Sequence, residues 1–216
     1  MGKISFRLYL IAAFLTIVVF SSGILFGWVL DSNRVTNVQS QIDDLAINFQ
    51  NLDLENSIYQ TFGNGTFVCS IYLSKAESLS KQTDQLAEEL NNFKQINQFQ
   101  LSKLDFFKKR YTVMNLQFWL QLVNLKKNCD YNSTTILYFY TTKPCDECVA
   151  QGIVLDTLKR KSPEKLMIFA IDSDLDLGVV TLLKAKYNVT KIPTLVINEK
   201  NKIEGVASQA TLKEYL

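Results

Sequence analysis

The sequence contains no histidine, so the commonest general base and the commonest metal ligand are both missing from its chemistry. It has only 3 prolines, Pro144, Pro163 and Pro193, all in the last third. Glycine is sparse as well: between Trp28 and Pro144 the only glycines are Gly63 and Gly65. So long a stretch with so few breakers reads as helix with one interruption. Acidic residues are missing from the beginning. None occurs before Asp31, and Lys3 and Arg7 alone account for the net charge of +2. The remainder is neutral, which excludes a basic footprint for nucleic acid, and no nucleic-acid partner is expected.

What is present falls into three textures. From Leu8 to Leu30 no residue is charged, and roughly 20 apolar helical residues suffice to cross a bilayer core. A cleavable signal peptide is the competing reading. Its apolar region is shorter, about 7–15 residues, although the Ser21-Ser22-Gly23 segment imitates a cleavage site. Trp28 suits a membrane interface, and Lys3 and Arg7 place the N-terminus in the cytoplasm by the positive-inside rule. The expectation is a single-pass signal anchor over 8–30, with residues 1–7 cytoplasmic, the lipid bilayer as partner of the anchor, and the rest extracytoplasmic. Gly23 and Gly27 have the G-x-x-x-G spacing that lets spans pack, a spacing that the abundance of glycine in membrane helices also supplies by chance. Sequons at Asn64, Asn132 and Asn188 are compatible with this placement but no more numerous than composition alone supplies.

Residues 31–131 read as a helical stalk. Val35, Val38, Ile42, Leu45, Phe49 and Leu52 form a heptad seam. A second seam runs through Tyr72, Ala76, Leu79, Thr83, Leu86, Leu90 and Phe93. A third runs through Leu104, Phe107, Tyr111, Met114, Phe118 and Leu125. A polar turn near 97–102 would fold the last two seams into an antiparallel hairpin; the alternative is one rod from about 70 to 128. Unpartnered helices could not bury these stripes. The first helix therefore either completes a three-helix bundle or pairs with its copy in a homodimer. In the hairpin, Cys69 and Cys129 meet at the same end, where a structural disulfide is expected and two buried free thiols are the alternative; in the rod they cannot meet within one chain.

From residue 132 the texture is mixed. Strands are expected over 134–142, 165–174, 193–198 and 203–208, with a polar turn over 199–202. Helices are expected over 148–161, 177–189 and 210–216. A helix between two buried strands implies a parallel pair, and a short turn implies a hairpin. The fold class is α/β, in the order β-α-β-α-β-β-α.

That order, with Cys145-Asp-Glu-Cys148 after the first strand and Lys191-Ile-Pro-Thr194 before the third, resembles the thioredoxin family over residues 132–216. The resemblance implies a cis peptide before Pro193 opposite the cysteines, and a substrate groove shaped by Ile192, Pro193 and Thr194. It implies a thiol–disulfide oxidoreductase. A helix beginning near residue 146 favours a thiolate at its N-terminus. Cys145 is then the nucleophile and Cys148 the resolving thiol. Lys143 favours the thiolate, while Asp146 and Glu147 oppose it. This chain departs from the family where Phe139 stands in place of a buried acid, which removes the usual proton carrier for Cys148. No external cofactor is implied, and no metal: a zinc site wants four ligands, and Cys69 and Cys129 are single and far apart. The partners are protein thiols and disulfides and a redox partner that recycles the dithiol. The competing reading is a non-catalytic anchored scaffold, in which the Cys145–Cys148 bond is permanent.

Overall fold

The computed structural model describes residues 6–62, 67–93, 101–129, 132–163 and 165–216. The break at Gly63 and Gly65 and most of the expected 97–102 turn lie outside the described residues. Two compact units divide the chain, Met1–Gln41 and Ile42–Leu216.

Helix α1, Phe6–Phe62, begins in the first unit and ends in the second. In the first unit, Tyr9–Gly27 is a helix of 19 residues, long and apolar enough to cross a membrane. Its large side chains are exposed, Phe20 at 70% and Phe26 at 71%, an apolar surface that a soluble helix would bury on one face.

In the second unit, the end of α1 meets α2, Phe67–Phe93, and α3, Leu101–Cys129. Their seams are the core: Ile42, Leu45, Phe49, Leu52, Leu79, Leu86, Leu90, Phe107, Met114 and Phe118 are all buried. Residue pairing gives the directions. Asn48 donates to Gln82, and Lys75 binds Glu55, so α1 and α2 run antiparallel. Arg110 binds Asp43, Gln121 donates to Asp53, and the Phe49 and Phe118 rings lie 5.5 Å apart, so α1 and α3 run parallel. The result is an up-down-up three-helix bundle. Cys69 and Cys129 are joined by a disulfide, Cα–Cα 5.5 Å, across the α2–α3 hairpin. Buried Thr83 turns its hydroxyl to the Leu79 carbonyl at 2.7 Å, which lets a polar residue occupy the seam.

The sheet comprises β1, Thr134–Tyr140; β2, Leu166–Asp172; β3, Thr194–Ile197; and β4, Asn201–Glu204. Its order is β2-β1-β3-β4. β1 pairs β2 in parallel with Tyr140 opposite Asp172, and β3 antiparallel with Phe139 opposite Thr194. Helices α4, Asp146–Lys161; α5, Gly178–Lys186; and α6, Gln209–Lys213, complete the order β-α-β-α-β-β-α. Leu155 and Leu158 of α4 and Leu212 of α6 pack with Ile136, Tyr138, Leu195 and Ile197 on one face of the sheet. The opposite face carries Phe169, whose ring lies 5.9 Å from that of Phe118 in α3. At the β2 edge, Lys159 donates to the Leu166 carbonyl at 2.9 Å and binds Asp84 of α2 at 3.5 Å. Lys159 thus satisfies a carbonyl at the start of an edge strand, where unpaired backbone would otherwise invite pairing.

Two expectations are corrected. The last strand is not 203–208 but Asn201–Glu204. Asn198 and Glu199 both take the left-handed conformation, φ 48° and 60°, and close the hairpin so tightly that pairing resumes at Asn201; Gly205, φ 79°, then ends the strand. In α4, Val149 and Ile153 face outward, 64% and 62% exposed. The buried stripe is Cys148, Gln151, Leu155 and Leu158, the i, i+3, i+7, i+10 face.

Candidate functional site: a dithiol at the end of the central strand

Strand β1 delivers its chain end, through Thr141–Pro144, to Cys145, the N-cap of α4. Cys145 takes an extended conformation, φ −155°, and its sulfur accepts from the Cys148 N–H at 3.1 Å. The sulfur therefore occupies the place of a capping oxygen. Cys145 and Cys148 form a disulfide, Cα–Cα 5.2 Å. Cys145 is half-buried and Cys148 is 6% exposed, so Cys145 is the more accessible of the two. Asp146 and Glu147 lie exposed in the first turn of α4, where carboxylates suit the helix dipole.

Because β1 and β2 are parallel, the β2–α5 loop opens at the same end of the sheet as the cysteines, where α/β sheets bind ligands. Asp174, in that loop, binds Lys143 at 2.9 Å through one carboxylate oxygen and accepts from the Thr141 hydroxyl through the other. These two hydrogen bonds, first Thr141 and then Lys143, hold the Asp174 carboxyl below its usual range. Ser173 N–H donates to the Tyr140 carbonyl at 2.8 Å and Asp174 N–H to Asp172 Oδ1 at 3.1 Å, so the loop is fixed at three points.

The antiparallel β1–β3 register brings Pro193 to the same end. The Ile192–Pro193 peptide is cis. Pro193 is buried, and its carbonyl accepts from Gly205 N–H at 2.8 Å; Thr194 Oγ1 donates to the Lys191 carbonyl at 2.7 Å. Ile192 is half-buried, and among the described residues its backbone forms no hydrogen bond.

Phe139 is fully buried, 0% exposed. Its neighbour Tyr138 makes the polar contact beneath the dithiol, donating to the Cys148 carbonyl at 2.6 Å. Burial pushes the Tyr138 phenol up to about 12, so it is a neutral donor over the working range. Gln151, one turn past Cys148 and fully buried, accepts from Ala207 N–H at 2.6 Å and ties α4 to the segment after β4. Sequence reading missed Tyr138, Asp174 and Gln151. Only Tyr138 left a signal: a phenol in an apolar strand needs a hydrogen-bond partner. Among the described residues, no three His, Cys, Asp or Glu side chains gather as a metal cage.

Cys69 and Cys129 lie at the other end of β1. α3 ends at Cys129, shortly before Thr134. The seven residues of β1 separate the two ends, about 20 Å at the rise of a strand.

No family model matches the sequence, and no curated protein matches it. Solved structures do resemble part of it. Thioredoxin-2 of the malaria parasite, described as a component of its protein secretion machinery, is 23% identical over 38% of this chain and 78% of its own, TM-score 0.32. Chloroplastic thioredoxin z is 20% identical over 44% and 83%, TM-score 0.34. Mitochondrial thioredoxin 3 from Saccharomyces cerevisiae is 24% identical over 45% and 87%, TM-score 0.34. Overlap of this extent assigns neither family nor activity to this chain.

Proposed function

We propose that this protein is a membrane-tethered thiol–disulfide oxidoreductase acting on extracytoplasmic proteins. Residues 8–30 anchor it with the N-terminus in the cytoplasm, 31–131 support it, and 132–216 carry the chemistry. The observation that supports this most is the Cys145–Cys148 pair at the start of α4, with the accessible sulfur receiving the Cys148 N–H. The same N–H and the helix N-terminus stabilise a thiolate once the pair is reduced.

The reaction is two exchanges. The Cys145 thiolate attacks one sulfur of a substrate disulfide, forming a mixed disulfide and releasing one substrate thiolate. The Cys148 thiolate then attacks Cys145 Sγ, closing the Cys145–Cys148 bond and releasing the second. Two electrons pass to the substrate, and a partner dithiol returns them by the reverse exchange. Ile192, whose backbone forms no hydrogen bond among the described residues, offers an extended substrate segment strand-like hydrogen bonds beside Pro193 and Thr194. Tyr138, held on the Cys148 carbonyl, positions the first turn of α4. The test is catalysed reduction of insulin by the full chain, followed as turbidity. Turnover that Cys145→Ser abolishes supports the proposal; a wild-type rate equal to the uncatalysed one contradicts it.

A further inference from the structure

The loop preceding the dithiol carries a cation, Lys143, two residues from the nucleophile. A free ammonium there would lower the Cys145 thiol pKa. In the structure that ammonium is bound at 2.9 Å by Asp174, a residue of a different loop. Asp174 also receives the Thr141 hydroxyl, and Thr141 Oγ1 in turn accepts from the Lys143 N–H at 3.1 Å. One carboxylate thus grips both the side chain and the backbone turn that present Lys143. Its own position is set by Asp172 through the backbone N–H.

We propose that Asp174 is a positioning residue that sets the redox poise of the dithiol, neutralising Lys143 so that the thiolate of Cys145 is less favoured and the pair more reducing. This deepens the oxidoreductase reading and rests on it. The other charged groups around the corner do not replace Lys143. Asp146 and Glu147 of α4 are negative, as is Asp172 behind the loop. Lys184 of α5 is engaged with the Ser173 carbonyl at 3.4 Å and adds only a weak pull on Asp174. On the β4 side, Lys202 is bound to Glu204 at 2.9 Å, with Lys191 nearby acting on the same carboxylate. The depressed carboxyl of Asp174 means that its charge persists across the neutral range.

The test uses the full chain in the Cys148→Ser background, where Cys145 is the free thiol, and reads the pH dependence of its alkylation rate. Asp174→Asn releases Lys143 without removing volume and lowers the Cys145 thiol pKa by about half a unit to one unit. Lys143→Gln, which leaves Asp174 uncompensated, raises it, and the double variant returns close to the starting value. With both cysteines present, Asp174→Asn shifts the dithiol–disulfide equilibrium against glutathione by about three- to tenfold toward the dithiol. A merely structural role would move both single variants in the same direction. The proposal is overturned if Asp174→Asn leaves the Cys145 pKa unchanged or raises it, or if adding Lys143→Gln fails to reverse the shift. These readouts need no protein substrate, so their failure is distinguishable from an inactive insulin assay, which counts against the oxidoreductase reading itself.

Discussion

The two cysteine pairs contain the same bond and sit at opposite ends of the same strand. Cys69–Cys129 spans 60 residues and joins two packed helices. Cys145–Cys148 spans 3, caps a helix, and lies at the end of the sheet where β1 and β2 end and β3 begins. What separates them is the surroundings. A long loop closed between rigid helices constrains the unfolded chain and ties α2 to α3. A short loop at a helix N-terminus constrains little, but places an accessible sulfur where a thiolate is stabilised. One pair is suited to permanence, the other to exchange.

The largest expected break in this comparison is in activity. Cys145→Ser reduces insulin turnover to the background rate, whereas Cys69→Ser combined with Cys129→Ser leaves most of it. Equal losses would mean that the two pairs do not divide the work. Next in size is Phe118→Ala, which removes the ring shared by Phe49 of the bundle and Phe169 of the sheet. It should cost about 3–5 kcal/mol in chemical denaturation, and bundle and sheet should unfold together. Two separate transitions would show that the bundle is an independent stalk.

The Cys69→Ser, Cys129→Ser double variant should lose about 2–4 kcal/mol, the usual value for a long closed loop. The same measurement on reduced against oxidised Cys145–Cys148 should give less.

Much of this arrangement was legible along the chain. The seams through Ile42–Leu52, Leu79–Leu90 and Phe107–Phe118 are buried because heptad spacing puts each on a single helix face. The strands around Ile136–Phe139 and Met167–Ile171 are dense in apolar and β-branched residues that only a covered sheet accommodates. The start of β4 was not legible. It depends on Glu199 adopting a left-handed conformation, for which glutamate carries no sequence signal; the residue is held there by Trp119 Nε1 at 3.1 Å, 80 positions away. Val149 and Ile153 misled because the buried stripe of α4 runs through Cys148 and Gln151, polar positions that an apolar pattern skips. The grip of Asp174 on Lys143 joins two loops 31 positions apart, and nothing local announces it.

The smallest effect sharpens the dithiol end. Tyr138→Phe loses one buried hydrogen bond, about 1 kcal/mol at neutral pH. It should also change the alkaline limb. The phenols of Tyr138 and Tyr140 are raised by burial from 10 to about 12 in the folded protein. Their contribution is therefore complete below pH 10 and is lost as pH rises through about 12, because the unfolded chain releases those protons first. Thermal unfolding followed across that window should fall less steeply in Tyr138→Phe than in the wild type.

The division of labour between the two pairs is tested most directly by redox titration of the full chain, with differential alkylation of all four cysteines read by mass spectrometry. Cys145 and Cys148 should open and close reversibly together over a window of thiol–disulfide buffer in which Cys69 and Cys129 stay bonded. If all four cysteines titrate together, or Cys145–Cys148 resists reduction while Cys69–Cys129 opens, the account is contradicted.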